Sequence, residues 1–108
     1  MSIEELSQIA INIRNKYEKF ETEMYGKPWT TEQIMEGFVG DVGDLMKLVM
    51  VKEGYRKLDN ANINEELSHE LSDCLLCILV LASKYNIDLE KEFLKTMSSI
   101  EKKIQSNE

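Results

Sequence analysis

Nine successive apolar residues, Cys74 to Ala82, leave a chain of 108 residues few ways to fold. The run lies inside a longer segment, roughly 63–85, that reads as one helix. Over the run that helix is apolar on every side, so it has to be surrounded. Three neighbours from one small chain would hardly enclose it, and the expectation is a homo-oligomer, a homodimer or homotetramer, in which these helices meet across an interface.

The remaining segments also carry helical signals. Ser2-Ile3-Glu4-Glu5 has the form of a capping box, and Ile3, Leu6, Ala10, Ile13, Tyr17, Phe20 and Met24 then recur at spacings of three and four, which predicts a first helix over roughly 2–24. Gly26-Lys27-Pro28 ends it. Thr30-Thr31-Glu32-Gln33 is a second capping box, with Trp29 placed to staple against Ile34, and opens a helix over roughly 30–53. The stretch from Tyr55 to Asn62 is polar and irregular. After Asn86-Ile87-Asp88, the stripe Leu89, Phe93, Met97, Ile100, Ile104 predicts a fourth helix over roughly 88–104. One proline and five glycines agree with this reading. The expected fold is all-α, a four-helix bundle forming a single domain over 1–108, without repeats or low-complexity segments.

Composition narrows the function. With 43% hydrophobic and 31% charged residues the chain reads as soluble and globular, and no segment reaches the roughly 18 apolar residues of a membrane span. The opening Met1-Ser2-Ile3-Glu4-Glu5 lacks the basic flank and apolar core of an export signal, so the expected location is the cytoplasm. A net charge of −7 argues against nonspecific nucleic-acid binding, which needs a basic surface, although it leaves room for a nucleotide delivered with its own metal. Cys74 and Cys77 form a CxxC inside the apolar run, without the further cysteines or histidines of a zinc site, and are expected as reduced, buried residues.

Against this background two acidic pairs stand out, Asp41-Val42-Gly43-Asp44 and Glu70-Leu71-Ser72-Asp73. A spacing of three places both carboxylates of a pair on one helix face. Asp41 falls on the stripe Ile34, Phe38, Asp41, Leu45, Leu48, a position the helical period assigns to the core. A second stripe, Met35, Val39, Val42, Met46, Val49, flanks it. If the second and third helices form an antiparallel hairpin, Asp44 lies about nine residues before the turn and Asp73 about nine or ten beyond it, which at roughly 1.5 Å per residue sets both about 14 Å from the same end. Helices packed about 8–10 Å apart then let the four side chains converge. Four neighbouring carboxylates need protons or a cation, and oxygen donors without histidine or thiolate favour a hard ion: Mg2+, with Mn2+ also fitting. Gly40 and Gly43 add weight, since glycine inside a helix costs about 1 kcal/mol relative to alanine and usually marks a close approach.

The segment Val39-Gly40-Asp41-Val42-Gly43-Asp44-Leu45, followed by His69-Glu70-Leu71-Ser72-Asp73-Cys74-Leu75, resembles the paired ExxE and ExxD motifs of the MazG-like nucleotide pyrophosphohydrolases, part of the all-α NTP pyrophosphatase superfamily. The resemblance covers approximately Trp29 to Lys95. Glu70 and Asp73 match the motif without change, whereas Asp41 and Asp44 replace two glutamates by a residue one methylene shorter. It implies a metal-dependent enzyme that cleaves a nucleoside triphosphate between its α and β phosphates, giving a monophosphate and pyrophosphate, as in nucleotide-pool housecleaning. Asp41, Asp44, Glu70 and Asp73 are then the metal ligands and catalytic carboxylates, with the one that activates water left open. Many members carry a lysine followed four residues later by asparagine on the last helix; here Lys95 is followed by Ser99, and Lys95 is carried over as a phosphate-binding residue. Trp29 is a candidate for stacking on the base, alongside its ordinary packing role as a staple. Lys47 and Lys91 are further candidates for a triphosphate, against the common solvated role of helix lysines.

Two other classes compete. The Asp-for-Glu changes and the apolar third helix also suit a noncatalytic helical oligomerisation or nucleotide-sensing module. A di-iron carboxylate bundle fits less well, because such sites use two Glu-x-x-His motifs and this chain has a single histidine, His69.

Overall fold

A computed structural model describes residues 1–57 and 62–106. It contains four helices, α1 (Ile3–Tyr25), α2 (Thr31–Lys52), α3 (Ile63–Lys84) and α4 (Leu89–Ser106), and no strand among the described residues. The all-α expectation holds, with each boundary within two residues of its expected place. The expectation for the irregular stretch ending at Asn62 falls in part on 58–61, outside the described residues.

The helix starts follow from their caps. The Ser2 hydroxyl accepts from the Glu5 amide at 3.1 Å while the Glu5 carboxylate accepts from the Ser2 amide at 3.2 Å. Thr30 and Gln33 repeat the exchange at 3.2 and 2.9 Å. Asn62 caps α3 through the Glu65 amide, and Asp88 caps α4 through the Lys91 amide. These bonds satisfy N–H groups that a helix cannot satisfy itself.

Two helix ends share one turning device. After α2, the Gly54 amide donates to the Val51 carbonyl at 3.1 Å and the Tyr55 amide to Met50 at 2.8 Å, with Gly54 at φ +86°. After α3, Asn86 at φ +55° and Ile87 make the same pair of bonds to Ser83 and Ala82. This is the Schellman pattern, which needs a left-handed residue and so favours glycine or asparagine. The first of these turns ends α2, against which α3 packs, and Lys52 Nζ donates to Asn64 Oδ1 at 3.0 Å between the two helices.

The core is small and lies away from that junction. Ala10, Ile34, Leu79 and Val80 are buried, with Ile3, Leu6, Leu76, Leu81 and Leu89 packed against them. α3 therefore touches both α1 and α2, while α4 touches α1 only lightly and places just its first residue, Leu89, against the core. The radius of gyration, 17.3 Å, exceeds the roughly 13 Å of a compact chain of this length. Large apolar faces stay uncovered: Met35, Val39, Val42, Met46 and Val49 on α2, Leu71, Leu75 and Ile78 on α3, and Phe93, Met97, Ile100 and Ile104 on α4 are exposed. The chain's own helices thus leave the apolar α3 incompletely surrounded. No described helix is long and apolar enough to cross a membrane. Among the described residues an added Cβ at Gly40 or Gly43 would meet no atom within 4 Å outside its own helix backbone, so the expected close approach is not seen there.

Candidate metal centre

The antiparallel hairpin of α2 and α3 brings three of the four predicted carboxylates together. Asp41, Asp44 and Glu70 each offer an oxygen, and these atoms all lie within 4.8 Å of one another. Asp41 and Asp44 come from successive turns of one α2 face, and Glu70, one methylene longer, reaches across from α3. The fourth, Asp73, stands outside the trio: its Oδ2 is 3.2 Å from Nε2 of His69, one turn back on the same helix.

The trio is not at rest electrostatically. Burial pushes the Glu70 carboxyl above its ordinary range, and the charges of Asp41, Asp73 and Asp44 push it further. Asp41 is raised in the same way, by burial first and then by Asp73 and Asp44. Glu70 Oε2 is buried and has no hydrogen-bond partner among the described residues. An acceptor withdrawn from water and left unpaired is costly, and a cation is the natural way to satisfy it. The donor set, carboxylate oxygen throughout, suits a hard divalent ion, and Asp41, Asp44 and Glu70 are the residues that would hold it.

Two cavities open on either side of the trio. One, of about 390 Å³, is walled by Tyr17, Phe20, Tyr25 and Trp29 with Ile34, Gly37, Leu76 and Cys77, and has Asp41 at its edge. The Trp29 ring is part of this wall, close enough to Gly37 that a Cβ there would sit 3.5 Å from it. The other, of about 640 Å³, holds Asp44, Glu70 and His69 together with Lys47, Arg56 and Lys57. Lys95 lies exposed on α4 and lines neither cavity. Cys74 is buried and Cys77 half-buried, both free, and burial raises both thiols, which keeps them protonated and unreactive.

A second polar group underlies the aromatic cavity. Arg14 donates through both terminal nitrogens to the carboxylate of Glu21, which is 5% exposed, and Glu21 Oε1 also accepts from the Trp29 amide at 2.8 Å. Burial alone would raise Glu21, but the Trp29 amide and Arg14 outweigh it and hold its carboxyl below the usual range. This clamp ties the end of α1 to the entry of α2 and fixes Trp29. Reading the sequence missed Arg14 and Glu21, although opposite charges seven apart on the Ala10–Tyr17 face were a usable signal. It also missed Arg56 and Lys57, which gave no signal because they follow a turn rather than a periodic helix.

Comparison with family models, curated proteins and solved structures returns no match to the chain.

Proposed function

We propose that the protein is a magnesium-dependent nucleoside triphosphate pyrophosphohydrolase of the MazG-like kind, acting in the cytoplasm on an NTP or dNTP. The observation that carries this reading is Glu70 Oε2, buried and without a partner among the described residues, within a trio of carboxylates that borders both an aromatic cavity and one lined by Lys47, Arg56 and Lys57. A bound divalent ion would neutralise phosphate charge and acidify a water molecule there. The chain's own residues supply the rest. Trp29, held by Glu21, offers a flat face for a base, and the α phosphate falls beside Asp41 and Asp44. Water adds its oxygen to the α phosphorus, the bond from that phosphorus to the α,β-bridging oxygen breaks, and the electron pair leaves with pyrophosphate. Asp73, outside the trio, accepts the water's proton and passes it to solvent.

The uncovered faces of α2, α3 and α4 support assembly as a homodimer or homotetramer, and in one chain Lys95 stands apart from the site. The test is a panel of canonical and modified nucleotides with Mg2+ and identification of products. Release of pyrophosphate and a monophosphate is expected. Nucleotide binding without turnover would replace this reading by that of a noncatalytic nucleotide-sensing module, which the same uncovered faces suit.

A further inference from the structure

The larger cavity has a composition that the carboxylate trio does not explain. Lys47 projects from α2 one turn beyond Asp44, and Arg56 and Lys57 follow the Schellman turn at Gly54 that ends the helix. None of the three forms an ion pair among the described residues, although Glu65 and Glu66 line the same cavity. Four carboxylates, Asp44, Glu65, Glu66 and Glu70, thus face three cations. A bare anion would enter a site of net negative charge, and a divalent ion held by Asp41, Asp44 and Glu70 would offset that charge. Such a cavity favours an anion that arrives with, or after, the metal.

The position of the cavity gives the ligand a direction. Asp41 borders the aromatic cavity, and Asp44, about 4.5 Å further along α2, borders the larger one with its three cations. A nucleotide lying across the trio runs from base to terminal phosphate in the N-to-C direction of α2. Resting on the function proposed above, we infer that Lys47, Arg56 and Lys57 form a cradle for the β and γ phosphates, and hence for the pyrophosphate that leaves. The fork of Arg56 suits bidentate contact with phosphate oxygens, and the two lysines act as point charges. The Lys52–Asn64 bond and the Gly54 turn hold the two ends of the hairpin together and so set where Arg56 emerges.

Calorimetric titration of the intact protein with inorganic pyrophosphate tests this, in Mg2+ and in EDTA, beside a nucleoside monophosphate as the ligand lacking those two phosphates. Wild type should bind pyrophosphate in Mg2+ and lose about tenfold or more in EDTA. The double variant Arg56→Ala/Lys57→Ala, and separately Lys47→Ala, should weaken pyrophosphate by about tenfold while changing monophosphate affinity by less than about twofold. Mn2+ affinity read by electron paramagnetic resonance should stay unchanged, and Arg56→Lys should recover part of the loss. All three side chains are exposed, so helicity by circular dichroism should not change. Pyrophosphate binding that survives the double variant and Lys47→Ala, or persists undiminished in EDTA, overturns the cradle, as does equal weakening of both ligands. Turnover by wild type is measured apart. Its absence, with the pyrophosphate results as expected, removes the catalytic reading and leaves a polyphosphate site. Turnover with KM and pyrophosphate inhibition unchanged in the double variant removes the cradle and leaves the reading.

Discussion

Glu21 is buried between helices and Glu70 half-buried with its Oε2 withdrawn from water, and the chain treats the two carboxylates in opposite ways. Around Glu21 both carboxylate oxygens are supplied: Arg14 donates twice and the Trp29 amide donates once, so its charged form is favoured. Around Glu70 burial and the charges of Asp41, Asp73 and Asp44 outweigh the opposing His69, and Oε2 has no partner among the described residues, so the neutral form is favoured. A buried charge that the fold satisfies is part of the architecture. One that the fold leaves unsatisfied, next to two more of the same sign, points outward to something the chain does not contain.

The sharpest way to break the comparison is Glu70→Gln. If Glu70 waits for a metal, turnover in Mg2+ should fall on the order of a thousandfold, more than the roughly 10–100-fold typical of a residue that merely supports a ligand. Stability without metal should move the other way. Because the folded-state values of Glu70 and Asp41 are raised, their contribution to stability is full below the ordinary carboxylate value of about 4 and is lost as pH rises through the folded values. In EDTA at neutral pH, Glu70→Gln should therefore unfold at higher urea concentration than wild type, by on the order of 1 kcal/mol. A less stable variant in EDTA would show that Glu70 is satisfied after all.

Glu21→Gln probes the other side and should cost about 3 kcal/mol, the usual penalty for breaking a buried pair from one end. That is a large share of a typical domain stability of about 5–15 kcal/mol. Its pH signature has the opposite sign. A lowered carboxyl contributes fully above the ordinary glutamate value of about 4.3 and loses that contribution as pH falls through its folded value. Urea denaturation from pH 7 downward should show the acid loss in wild type and a shallower one in the variant, with Mn2+ affinity at the trio retained. A cost below about 1 kcal/mol, the value of a surface pair, would mean that the clamp is open to water.

The same contrast explains what the sequence revealed. Helix spans were legible because capping boxes at Ser2 and Thr30 and the apolar period are local signals. Asp41 was legible because a carboxylate on an apolar stripe breaks a period, and Glu70 because its spacing of three from Asp73 repeats that of Asp41 and Asp44. The placing of Asp73 beside His69, rather than in the trio, was not legible, since an i,i+4 pair on one helix and a contact across two helices are equally open to the same residue. Tyr17 and Phe20 read as core, and half-exposed they instead wall a cavity, because periodicity says which face is apolar and not whether that face is filled. The apolar run in α3 did announce that one chain would not cover it, and the exposed Leu71, Leu75 and Ile78 agree.

Gly40→Ala gives the smallest effect and asks what lies opposite those uncovered faces. Among the described residues a Cβ at Gly40 meets nothing within 4 Å outside its own helix backbone, and the residue sits inside α2 without a left-handed φ. Alanine should then stabilise the helix by about 0.8–1 kcal/mol, chiefly by removing backbone freedom from the unfolded chain. If a second copy packs its own helix against this face, the methyl group meets it, and the gain in urea denaturation turns into a loss that grows with protein concentration. Comparing unfolding at two protein concentrations, with molar mass measured by light scattering, separates the cases. A gain that is independent of concentration leaves Gly40 facing water, and directs any partner to the apolar faces of α3 and α4 instead.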